Sequence, residues 1–153
     1  MPRPALLLLL LALGCGQPAP PYEGKTLAEL QQMVESSDSA KQVQGAFGLA
    51  KLGGEAAPAV PALRKALGSK DALVKQNAAL ALAKIGSPAR EAIPELIGLL
   101  DDPAWQVRRQ AALTLGALQA GQALPDLERL ASDGDEQVRA AARQASAQIQ
   151  QAP

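Results

Sequence analysis

The stretch Val74–Gly86, reading V-K-Q-N-A-A-L-A-L-A-K-I-G, returns upstream as Lys41–Gly53 and downstream from Val107 and again from Val138. Self-similarity at a fixed period constrains the fold more than composition does. Each copy is a unit that cannot bury its apolar face alone, so neighbours must stack and share a core. Gly53 to Gly86, Pro61 to Pro94 and Val74 to Val107 are each 33 residues apart, while Pro94 to Pro125 and Val107 to Val138 are 31. The lost residues therefore fall in the turn between Leu118 and Pro125.

From Thr26 onward the chain divides into four helix pairs. The shorter first helices carry apolar residues four apart at Leu30/Val34, Leu63/Leu67, Leu96/Leu100 and Leu127/Ala131. Ser36, Ser69, Asp102 and Asp133 share one place in the link to each longer second helix, where they are predicted to act as N-caps. Asp133 with Glu136 forms a box-like pair, and Pro103 suits a first helical position. Pro61, Pro94 and Pro125 sit near the starts of first helices, where a missing N–H is tolerated. Thr26 with Glu29 predicts a capping box. Gly24-Lys25-Thr26 imitates the end of a phosphate-binding loop, but Ala19 stands where that motif needs glycine. The last helix, with Arg143, Gln144, Gln148 and Gln150, reads as a polar terminal cap.

The motif Ile93-Pro94-Glu95-Leu96, Leu99-Leu100, Val107-Arg108 and Ala111-Ala112 resembles the HEAT-like repeats of the short type named after phycobilisome lyases. The resemblance covers about residues 26–149 and implies an all-α fold, an α-α superhelix of about four helical hairpins. Repeats are expected over about 26–53, 54–86, 87–119 and 120–151 within a domain of residues 26–153. The ankyrin T-P-L-H signature is absent, and only Trp105, Tyr22 and Phe47 are aromatic, too few for tetratricopeptide repeats.

Ahead of the repeats, Ala5–Leu13 is an unbroken apolar run behind Arg3. Nine helical residues span about 13 Å, far short of the roughly 30 Å hydrocarbon core, so residues 1–14 read as a signal peptide. Ala12-Leu13-Gly14-Cys15 resembles a bacterial lipobox, which implies that Cys15 is diacylated and becomes the new N-terminus. The alternative is ordinary cleavage that leaves a free thiol and a secreted soluble protein. Cys15 is the only cysteine, so no intrachain disulfide can form. Residues 15–25 then make a lipidated cysteine and a Pro/Gly-rich, semi-extended tether. The expected location is the bacterial cell envelope, with the membrane reached through the N-terminal lipid.

The chain has no histidine, and its charges balance at 15 basic and 15 acidic side chains. Cys/His zinc sites and Ser-His-Asp or Cys-His catalysis are excluded by inventory. Some HEAT-like enzymes hydroxylate a modified lysine at a His/Glu iron site; those ligands cannot be supplied here. No enzyme activity, no cofactor and no metal are expected. Near-neutral charge argues against nucleic acid as a partner.

What remains is a binding surface. With the valine that opens each second helix as position 0, positions 0, 4, 7, 8 and 11 form the core stripe at about 100° per residue. Positions 2, 6 and 9 point away from it. The resemblance implies that second helices line the concave side of the solenoid. Position 6 is Phe47, Leu80, Leu113 and Gln144, flanked by Gln76 and Arg109. Either these apolar residues make a strip for a partner helix or segment, or neighbouring second helices bury them. Position 1 is Lys75, Arg108 and Arg139, which the family pattern pairs with loop acids such as Asp102 or Asp133. Arg109 and Arg143 remain as groove charges. Trp105 is either an exposed anchor or packs over the preceding loop. The expected function is a monomeric, membrane-anchored scaffold for a protein partner; the alternative is a non-catalytic accessory subunit of an exported enzyme or transport complex.

Overall fold

The computed structural model describes residues 19–151; Cys15 and the leader lie outside them. Short and long helices alternate as α1 (Leu27–Val34), α2 (Ser39–Leu52), α3 (Val60–Ala66), α4 (Ala72–Ile85), α5 (Ile93–Gly98), α6 (Trp105–Ala117), α7 (Leu124–Leu130) and α8 (Glu136–Gln150). No strand occurs among the described residues. These are the four hairpins of an α-α superhelix, α1/α2 through α7/α8.

Each first helix after α1 is entered through a 3₁₀ segment, Gly53–Ala59, Ser87–Ala92 or Gly121–Ala123. The 31-residue spacing is explained there, because the third segment is the shortest. Gly53 and Gly86 turn the chain at φ of 56° and 78°, a region open to glycine; in the shortened turn Gln119 takes φ 53° instead. Pro61, Pro94 and Pro125 stand at the second residue of α3, α5 and α7, as expected.

The capping box at α1 is present, with the Glu29 N–H donating to Thr26 Oγ1 at 3.3 Å and the Thr26 N–H to Glu29 Oε2 at 2.8 Å. The other expected caps are corrected by two residues. Asp38, Asp71 and Asp135 cap α2, α4 and α8 by accepting from the first-turn N–H groups, and Ala104 opens α6 with no side-chain cap. Ser36, Ser69, Asp102 and Asp133 instead accept the N–H two residues ahead, at 3.1, 3.1, 2.9 and 2.8 Å. They fold the link into a tight side-chain turn that delivers the true cap. Asp133 and Glu136 thus form no box, and Pro103 lies ahead of the helix.

Leu30, Leu49, Leu63, Leu82, Leu96, Leu115 and Leu127 form a fully buried spine running through all four hairpins. Removing one such leucine to alanine costs about 2–5 kcal/mol. The second helices pack directly on one another, α2 on α4, α4 on α6 and α6 on α8, whereas successive first helices meet mainly through the 3₁₀ segments. Tighter spacing on one layer bends the stack, so the second helices line its inner side.

Position 5 is part of the core as well. Ala46, Ala79 and Ala112 are all fully buried. The small side chains permit close approach: the Thr114 hydroxyl on α6 lies 3.1 Å from the Ala79 carbonyl on α4. At Gly116 an added Cβ would stand 2.8 Å from the Ala145 Cα of α8. At the other end Tyr22 packs over Gly48 and edge-on to Phe47, with ring centroids 5.0 Å apart. The last part of the expected tether, Pro21–Gly24, is therefore a turn seated on the first hairpin.

Candidate partner-binding groove

The inner layer carries almost no negative charge. No Asp or Glu occurs in α2, α4 or α6, and Glu136 is the sole acid in α8. The position 1 cations are used structurally, as the family pattern implies, and their acids belong to the next hairpin. Lys75 pairs with Asp102, and Arg108 grips Asp133. Arg139 donates to the carbonyls of Asp133 and Gly134 at 2.8 and 3.1 Å, much as Arg108 does to Asp102 and Pro103. Arg109 is different: half-buried, it makes no hydrogen bond or ion pair among the described residues.

The position 6 column is neither solvent-free nor fully open. Phe47, Leu80 and Leu113 are each half-buried, and Gln144 is exposed. Leu113 touches the core, while Phe47 and Leu80 lie outside it. Phe47 is partly covered by Tyr22, and Lys51 Nζ sits 5.3 Å from its ring centroid. Gln76 is half-buried beside the strip. Trp105 is half-buried and packed against the core.

Between α6 and α8 the groove deepens into a depression of about 380 Å³ lined by Arg109, Leu113, Gln137, Ala140, Ala141 and Gln144. An unpaired guanidinium thus stands beside a half-buried leucine and two amides. Arg143 is not part of this depression. It occupies position 5, where Ala46, Ala79 and Ala112 pack against the following second helix, so it points out of the terminal end of the stack. Its charge there suits a polar end face.

Leu73 is the groove residue that sequence reasoning missed. It is 60% exposed, the one large hydrophobic residue so exposed among the described residues. It lies at position −1, seven residues before Leu80, about 20° from that side chain around the helix. Gln137 holds the same position in α8 and lines the depression, which confirms that position −1 faces the groove. Counting back from the valine by one residue would have found both.

With this geometry in place, the profile of the HEAT repeats matches residues 27–90 and 88–147. The chain belongs to the HEAT-repeat family. Among solved structures, this HEAT-repeat chain is similar to an engineered protein at TM-score 0.70 and 27% identity, over 81% of this chain and 62% of that one. It is also similar to human deoxyhypusine hydroxylase, solved in complex with glycerol, at TM-score 0.68 and 26% identity, over 89% and 47%. The complex of CpcE and CpcF of phycocyanin lyase from Nostoc sp. PCC7120 shares the fold at TM-score 0.61 and 24% identity, over 90% and 70%. The HEAT-repeat chain spans less than two thirds of the length of the first two. No curated protein sequence matches it.

Proposed function

We propose that this chain is a non-catalytic docking scaffold, exported and held at a bacterial membrane through Cys15, whose groove receives another protein. One observation carries the docking reading. Leu73, Leu80 and Leu113 stay partly exposed on an inner layer that has no acidic side chain in α2, α4 or α6. Stacked repeats of this kind present extended concave surfaces for binding. The absence of histidine from the chain supports the non-catalytic part. Ala5–Leu13 followed by Gly14-Cys15 supports export and acylation. Acylation by more than one chain gives stable anchoring, at roughly 0.8 kcal/mol per buried CH₂.

A photo-crosslinking residue placed at Leu73 of the full-length protein, in its native envelope, tests the docking. A discrete protein adduct is expected from that position and not from the exposed Glu128 on α7. Adducts from Glu128 alone would contradict the reading. Acyl label that persists in Cys15→Ser would contradict the anchor.

A further inference from the structure

We propose that the groove is built for an acidic amphipathic helix of its partner protein, with apolar residues laid on Leu73, Leu80 and Leu113 and a carboxylate on Arg109. This rests on the docking reading above and adds the chemistry of the partner. Three features of the surface select that occupant.

The first is charge. Along α4 and α6 the strip is flanked by cations and amides, and the one acid near it is Glu23, beside Lys51 at the Tyr22 end. Lys51 and Lys84 stand one turn beyond Phe47 and Leu80 on the same helix faces, both exposed, and Gln76 and Arg109 stand on the opposite flank. The acids of the described residues lie on the first helices, the links, the 3₁₀ segments and the N-terminal turn, with Glu136 alone on a second helix; on the links, Asp102 and Asp133 already have partners. A basic segment would find no carboxylate on α2, α4 or α6, whereas an acidic one would meet cations along the strip.

The second is the state of Arg109. Each cation at position 1 is engaged with carboxylates or carbonyls of its own chain, but Arg109, one residue along, has no such contact among the described residues. It stands half-buried in the depression with Leu113, Gln137 and Gln144. A planar guanidinium in this setting favours a bidentate carboxylate, with the two amides able to hold its remaining lone pairs.

The third is spacing. Neighbouring packed helices lie about 8–10 Å apart, which sets the interval between Phe47, Leu80 and Leu113 on α2, α4 and α6, while Leu73 widens the strip along α4. A partner helix returns to the same face every seven residues, about 10.5 Å along its axis. An extended chain returns to the same face at about 6.6 Å or 13 Å, and neither step fits the interval. About 21 helical residues, some 31 Å, would cross three second helices.

The test sorts a displayed library of 21-residue helix-forming peptides, varied among Leu, Ala, Gln, Glu and Lys, against the full-length protein in detergent. Peptides with leucines at seven-residue intervals and net negative charge are expected to be enriched. Their affinity should fall about tenfold or more with Arg109→Glu, and also with Leu73→Gln, whose exposed site leaves folding intact. Enrichment of basic or uncharged helices, or equal enrichment by Arg109→Glu, overturns the acidic preference; crosslinking of those helices to Leu73 would leave the docking reading standing. Binding of phosphatidylglycerol vesicles or a DNA duplex at Arg109 without any enriched peptide overturns the proposal in favour of an anionic surface.

Discussion

The guanidinium of Arg108 on α6 holds both carboxylate oxygens of Asp133 in the following hairpin, with Nε donating to Oδ2 and Nη2 to Oδ1 at 2.9 Å each. Its Nη1 donates to the carbonyls of Asp102 and Pro103 at 2.9 and 3.1 Å. One side chain thus ties its own link to the next, and the Lys75–Asp102 pair repeats the connection one hairpin earlier. The repeats are registered by charge at the links and by leucine and alanine within. Both members of the Arg108–Asp133 pair are largely shielded from water, so solvent screens them less than a surface pair.

Arg108 holds the Asp133 carboxyl below its ordinary range, more strongly than burial raises it. Between its folded and unfolded values such a group binds fewer protons in the folded chain. Its contribution is therefore complete above the unfolded value and is lost as pH falls through the folded one. Urea unfolding as a function of pH should show stability declining below about pH 4. Arg108→Gln should lower stability at neutral pH by about 2–3 kcal/mol and flatten that acid decline. Some slope will persist, because Glu95 is likewise held low: burial raises it, and the bonds from Arg64, a backbone N–H bond and the Arg64 charge together outweigh that. An acid limb as steep in Arg108→Gln as in the parent would rule out this role.

Gln119 takes a positive φ where the two preceding repeats use glycine. Gln119→Gly relieves that strain and gives back part of it as unfolded-chain entropy, a net gain of about 0.5–1 kcal/mol. Thermal unfolding should shift upward by a few degrees; a downward shift would show that the glutamine side chain stabilises the turn.

Gly116 and Gly98 make a matched pair. A Cβ at Gly116 meets the α8 backbone at Ala145, whereas one at Gly98 has nothing within 4 Å. Gly116→Ala should cost about 1–3 kcal/mol by forcing α6 and α8 apart. Gly98→Ala should be neutral or stabilising by up to about 1 kcal/mol through helix propensity. Equal effects in denaturant unfolding would refute the close approach.

The 33- and 31-residue spacings announced the hairpins, and Thr26 with Glu29 announced the first cap. What escaped was geometry set by a neighbouring helix or by a turn. Ala46, Ala79 and Ala112 lie off the stripe that one helix needs for its own hairpin, so their burial between repeats left no periodic trace in a single copy. Ser36, Ser69, Asp102 and Asp133 recur as strongly as caps do, yet they serve the turn before the cap position, which is Asp38, Asp71, Ala104 and Asp135. Arg143 is expected in the groove as a charge left without a structural role, like Arg109; its register with the buried alanines sends it to the end face. Leu73 precedes the valine from which the repeat was counted, so it fell outside the frame.

The central claim is that the inner strip serves a partner more than it serves the fold. Leu73→Ser with Leu80→Ser in one full-length variant tests it when partner crosslinking and unfolding free energy are measured on the same protein. Leu73 is mostly exposed and Leu80 half-buried outside the core, so the pair should cost no more than about 2 kcal/mol of stability. Partner crosslinking from a probe at Gln76 is expected to drop at least about tenfold while the variant stays folded. A loss of stability well beyond that figure, or crosslinking at the parent level, would contradict it.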